Sequence, residues 1–110
     1  MINEKRINAV IDISSSGDNT IIAAPSGTSE YLVIDHINLV PNSAVTMILK
    51  SGSTSLSGGY ALTANQGFVL ENSYQDESGL LTCGVNEAFI INLSGAVQVS
   101  GFVRYRIINR

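Results

Sequence analysis

The run from Ala96 to Ile107 alternates apolar and polar residues, and this alternation constrains the fold more than any other feature of the chain. Successive side chains of a β-strand point to opposite faces of the sheet, so a period of two predicts a half-buried strand. One face of such a strand seals a core, and the other meets solvent or a partner. The expected core-facing residues are Val97, Val99, Val103, Tyr105 and Ile107, and the outer residues are Gln98, Ser100, Phe102, Arg104 and Arg106.

Three outer residues of this strand, Phe102, Arg104 and Arg106, are candidates for a subunit interface. Phe and Arg are enriched where protein partners dock, and an Arg stem packs well on an aromatic ring. Charged residues make up 14% of the chain, below the ~25% that is typical of soluble domains. Coverage of the surface by other subunits explains this low charge. Loops rich in Ser, Thr, Asn and Gly, which carry neutral polar groups, explain it equally well.

The rest of the chain is typical of an all-β protein, since helical periodicity is almost absent and turn-forming clusters separate short strands. We predict one antiparallel β-sandwich domain over residues 7–110, preceded by a polar arm over residues 1–6. A jelly-roll-like topology is favoured at this length. An immunoglobulin-like sandwich is the alternative, but the Cys, Trp and Cys signature of that core is missing.

Two local features refine this prediction. The apolar phase of the run from Tyr31 to Val40 changes near Asp35 and His36, which predicts a β-bulge at that point. The short connection at residues 41–43 predicts a hairpin between this run and the strand that follows it.

Positive charge concentrates at the two ends of the chain, although the net charge is −3. Neighbouring chain ends would combine these cations into a patch that attracts an acidic protein surface. We therefore take Lys5, Arg6 and Arg110 as docking candidates. Nucleic acid is not an expected partner, because the pI is near 4.8 and the chain has no Trp.

Catalytic and metal-binding motifs are missing from the sequence. His36 and Cys83 are the single histidine and cysteine, too few for a zinc site, and no Gly-x-Ser-x-Gly turn accompanies His36. The adjacent Asp76 and Glu77 fit a solvated turn. We expect no catalytic residue, no metal and no cofactor, with His36 and Cys83 in structural roles. No apolar run approaches the ~20 residues of a membrane span, so no membrane partner is expected.

Sugar binding is an open alternative. Tyr60 and Tyr74 lie in or beside predicted loops, where a phenol ring can stack on a sugar while its hydroxyl makes a hydrogen bond. Tyrosines at strand ends also commonly cover the edge of a core.

Three segments, at residues 11–24, 50–58 and 91–101, carry a family resemblance. They read IDISSSGDNTIIAA, KSGSTSLSG and INLSGAVQVSG. The chain resembles small structural proteins of tailed phages, of the head decoration or cement type, from about Ile11 to Tyr105. The resemblance implies a non-enzymatic virion protein, folded in the host cytoplasm, that binds the major capsid protein on the outer shell as a homotrimer. Tail, baseplate and head-fibre modules that bind host glycans or receptors use similar sandwiches and remain the alternative.

Overall fold

The computed structural model describes residues 6–71 and 79–109, and within them the chain forms β-strands and no helix. No helix in this part of the chain could therefore cross a membrane. The strands are β1 (Ile7–Ile13), β2 (Gly17–Ile22), β3 (Glu30–Pro41), β4 (Val45–Ser51), β5 (Thr54–Ser55), β6 (Tyr60–Leu62), β7 (Phe68–Glu71), β8 (Leu81–Val85), β9 (Phe89–Leu93) and β10 (Val99–Asn109).

The strands form two antiparallel sheets, which we call sheet 1 and sheet 2. Sheet 1 has the order β1-β10-β3-β7, and β8 also pairs with β3. Sheet 2 has the order β2-β9-β4-β5, and β6 also pairs with β4. The strand pairs are nested: β1 pairs with β10, β2 with β9, β3 with β7 and β8, and β4 with β5 and β6. This nesting is the jelly-roll arrangement that the sequence predicted. The predicted antiparallel β-sandwich is confirmed.

The hydrophobic core lies between the two sheets. Alternate residues of β4 and β9 are buried, as expected for strands with one face on a core. All five residues of the last run that were expected to face inward belong to this core or pack against it. The buried core residues are Ile11, Ile22, Leu32, Ile34, Ile37, Leu39, Val45, Met47, Leu49, Cys83, Phe89, Ile91, Leu93, Val99 and Val103.

The predicted β-bulge is present in β3. The register between β10 and β3 passes from Arg104 opposite His36 to Tyr105 opposite Ile34, so Asp35 is an extra residue. Because of this extra residue, Ile34 and Ile37 both face the core although they are three positions apart. Asp35 lies on the side of sheet 1 that faces away from the core, next to Arg106.

The predicted hairpin between β3 and β4 is wrong. These consecutive strands lie in different sheets, because the connection at residues 42–44 carries the chain across the edge of the sandwich. β4 instead pairs with β9, β5 and β6.

Candidate functional site

An apolar patch lies on the outer side of sheet 1. Cross-strand pairing places Val10, Phe102, Asn38 and Val69 in one row across β1, β10, β3 and β7. Val10 is 75% exposed, Val69 is 54% exposed, and Val40, on the same side of β3, is 40% exposed. Exposed apolar residues clustered on one face of a sheet are a common mark of an interaction site.

His36 extends this patch. Its ring stacks on Phe102 with centroids 5.4 Å apart and an angle of 10° between the ring planes. Both residues are half-buried. The stack holds the two rings in place, which lowers the side-chain entropy that a partner would have to freeze on binding. We call the set Val10, His36, Val40, Val69 and Phe102 the outer patch.

A row of polar and charged residues borders the outer patch. Register places Asn8, Arg104, His36 and Glu71 side by side across β1, β10, β3 and β7. Arg104 is exposed and donates from Nε to Oδ1 of Asn8 at 3.1 Å. Glu71 is exposed and makes no ion pair or side-chain hydrogen bond with any described residue. Two of the predicted interface residues, Phe102 and Arg104, are therefore adjacent and accessible.

Arg106, the third predicted interface residue, is not accessible to a partner, so this prediction is wrong. Its relative exposure is 5%. The guanidinium donates to Asp35 twice, from Nε to Oδ2 at 2.7 Å and from Nη2 to Oδ1 at 2.8 Å. The alternation placed Arg106 on the correct face of β10, but the bulge in β3 brings a buried carboxylate directly to it. Two parallel charge-assisted hydrogen bonds hold the guanidinium of Arg106 in a defined orientation relative to the carboxylate of Asp35.

Asp35 was missed as the partner of Arg106, although the sequence contained a signal for it. An aspartate inside an apolar run is rarely buried without a cation, because an unpaired buried charge is costly. The phase change at this residue also marked it as unusual. The sequence could not identify which cation lies opposite.

Arg6 is the one docking candidate within the described residues. Its Nε lies 3.4 Å from Oδ2 of Asp35, and its side chain is 35% exposed. The neighbouring strands β1 and β10 bring it close to Arg106, so the two ends of the fold are adjacent as expected. Arg6 and Arg106 therefore share the carboxylate of Asp35. Lys5 and Arg110 lie outside the described residues.

The described residues contain no group of three or more His, Cys, Asp or Glu side chains that could hold a metal ion. His36 and Cys83 lie on opposite sides of sheet 1, since Cys83 belongs to the core and His36 to the outer patch. Burial raises the pKa of the Cys83 thiol to about 11, which keeps it protonated at neutral pH. The fold does not bring these two side chains together.

Tyr60 lines a shallow depression of about 220 Å³ together with Thr63, Gln66 and Phe68. Its ring packs against Phe68 with centroids 4.8 Å apart. The depression is smaller than the ~300–1,000 Å³ of typical ligand pockets. Tyr74, Asp76 and Glu77 lie outside the described residues.

Comparison with known proteins gives no match: no family model, no curated protein and no solved structure is significantly similar to this chain.

Proposed function

We propose that this chain is a structural protein of a tailed-phage virion that binds the outer surface of the capsid and stabilises the shell by bridging its subunits. The outer patch is the observation that carries the proposal. A small domain that exposes Val10 and Val69 in one row with the half-buried Phe102 presents an apolar surface suited to burial against another subunit of the shell, a second copy of this chain included. The family resemblance and the compact two-sheet architecture support the same role.

In this role the chain works without catalysis or a cofactor. Many copies would each make a modest contact, and the symmetry of the shell multiplies these contacts. The cations at the chain ends, Lys5, Arg6 and Arg110, would face an acidic surface of the major capsid protein. Self-association into a homo-oligomer raises the number of contacts per bound particle. The family resemblance is the basis for expecting three chains in this homo-oligomer.

Adding the purified chain to capsids that lack it should raise the temperature at which they rupture. A ligand that binds only the assembled shell stabilises it by about 2.7 kcal/mol per site at a hundredfold excess over the dissociation constant. Genome release during heating, followed with a dye that fluoresces on DNA, measures the rupture temperature. Occupancy is measured in parallel by sedimentation of the capsids. Equal rupture temperatures at full occupancy would rule out a cementing role.

Replacing Lys5 by Gln and replacing Arg6 by Gln should each weaken capsid binding and make it less sensitive to salt. We expect an affinity loss of about threefold to tenfold at low ionic strength, because each change removes a cation from the docking end. Binding to capsids at two salt concentrations measures the effect. The matched control is Lys50→Gln, which removes a cation that pairs with Asp18 on sheet 2. Unchanged binding by both variants would place the docking surface elsewhere.

The alternative function is that of a tail, baseplate or head-fibre module that binds a host-surface glycan or receptor. The depression beside Tyr60 is the observation that favours it, since a tyrosine, a threonine and a glutamine there provide stacking and hydrogen-bonding groups. Retention on a glycan column in the absence of capsids, lost on replacing Tyr60 by Ala, would support this alternative.

A further inference from the structure

We infer that two copies of this chain pair face to face through the outer patch, related by a two-fold axis that runs along β3. This inference deepens the self-association part of the proposed function, but it rests on the surface of the chain and needs no capsid. It concerns how copies recognise one another, which neither the composition nor the resemblance specifies.

The apolar residues provide the first argument. A two-fold axis along β3 leaves β3 opposite its own copy and places β10 of one copy opposite β7 of the other. Phe102 then meets Val69 of the second copy, and the reverse contact forms at the same time. Val40 meets its own counterpart. The exposed apolar side chains of β3, β7 and β10 are thereby brought together and removed from water. Val10, on β1, lies two strands from the axis and stays outside this central contact.

The charges provide the second argument. Arg104 and Glu71 lie in the same row, on the two strands that flank β3, with His36 between them. The same axis therefore places Arg104 of each copy opposite Glu71 of the other. Opposite charges at equivalent distances from the axis make the surface complementary to itself, as an isologous contact requires. Glu71, which has no charged partner among the described residues of its own chain, gains one in the pair.

The residues on the axis provide the third argument. A side chain on a two-fold axis meets an identical side chain, so it must be able to pair with itself. His36 and Asn38 both meet this condition, because a neutral imidazole and a side-chain amide each offer a donor and an acceptor. A lysine or a glutamate at either position would oppose a like charge.

Two copies complete this contact, because the outer patch of each copy is occupied by the outer patch of the other. A face that pairs with itself cannot also generate a ring of three, so a trimer would have to use a different surface. The mass of the oligomer that the purified chain forms in solution therefore distinguishes the inferred dimer from the trimer implied by the resemblance.

Charge reversal tests the pairing. We expect Arg104→Glu and Glu71→Arg each to raise the dissociation constant of the dimer by about tenfold or more, because each change turns two attractive contacts into repulsive ones. Both residues are exposed, so the variants should fold normally, as circular dichroism would verify. Thr46→Arg, an exposed residue of β4 on sheet 2, is the matched control and should leave the dimer unchanged. Analytical ultracentrifugation over a range of concentrations, without capsids, measures the association.

Mixing the two single variants is the decisive measurement. In a pair made of one Arg104→Glu chain and one Glu71→Arg chain, both cross-copy contacts are attractive again. Equimolar mixing should therefore restore association to about the wild-type level, and the double variant should also pair with itself. A monomeric or trimeric wild-type protein would overturn the inference. So would a dimer that neither reversal weakens, or a mixture that fails to recover. None of these outcomes depends on capsid binding, which the heating experiment tests separately.

Discussion

Replacing Asp35 by alanine should lower the free energy of unfolding by about 3–5 kcal/mol, the typical cost of removing one partner of a buried ion pair. Asp35 and Arg106 are both buried, with relative exposures of 6% and 5%, and two hydrogen bonds join them. The alanine variant removes the two hydrogen bonds that the buried guanidinium donates to Asp35, and it removes the carboxylate that both Arg106 and Arg6 contact. Urea unfolding followed by circular dichroism measures the loss.

A double variant separates the net contribution of the ion pair from the cost of removing only its carboxylate. Replacing Asp35 by Leu together with Arg106 by Met removes both charges and keeps apolar volume, so most of the lost stability should return. Lys50→Met, at the more exposed ion pair with Asp18, is the control and should change the unfolding midpoint little. Equal destabilisation by Lys50→Met and Asp35→Ala would contradict the assignment of Asp35 as the buried partner.

Replacing Gly101 by alanine should destabilise the fold by about 3 kcal/mol or more, at the upper end of the range for overpacking. Gly101 lies in β10 opposite Leu39 of β3. An added Cβ would collide with the carbonyl oxygen of Asn38 and lie 2.6 Å from the Cα of Leu39. Both obstacles are backbone atoms of the neighbouring strand. The clash is therefore relieved only by separating two central strands of sheet 1.

Gly95 provides the matched control for this second prediction. It immediately precedes the run that contains β10, and an added Cβ there meets nothing within 4 Å. Thermal unfolding of Gly101→Ala and Gly95→Ala should therefore give a large shift for the first and a small one for the second. A similar melting temperature for both variants would mean that β3 and β10 adjust to the added methyl group at little cost.

The candidate site was predictable from the sequence only in part. The alternation in the last strand was enough to place Phe102 and Arg104 on the outer side of their sheet, because a strand has a fixed side-chain period. His36 was expected to be structural, and its stacking on Phe102 gives it a place in the outer patch that the sequence did not indicate.

Other members of the site were not predictable from local patterns. Val10 and Val69 are ordinary apolar residues in short strands, and Glu71 is one acid among several. They gain significance because β1 and β7 lie on either side of the β10 and β3 pair. Strand order depends on contacts between residues far apart along the chain, and no single segment encodes it.

The sequence by itself determined the fold class, the inner residues of the last strand and the position of the bulge at Asp35. Each of these follows from a local period or from a break in that period, which are properties of one strand at a time. Only the tertiary structure decided that β3 and β4 belong to different sheets, and that Arg106 is buried against Asp35. It also decided that Arg104, His36 and Glu71 form one row. These features depend on which strands pair and in what register, and pairing is set by the burial of a core to which all the strands contribute.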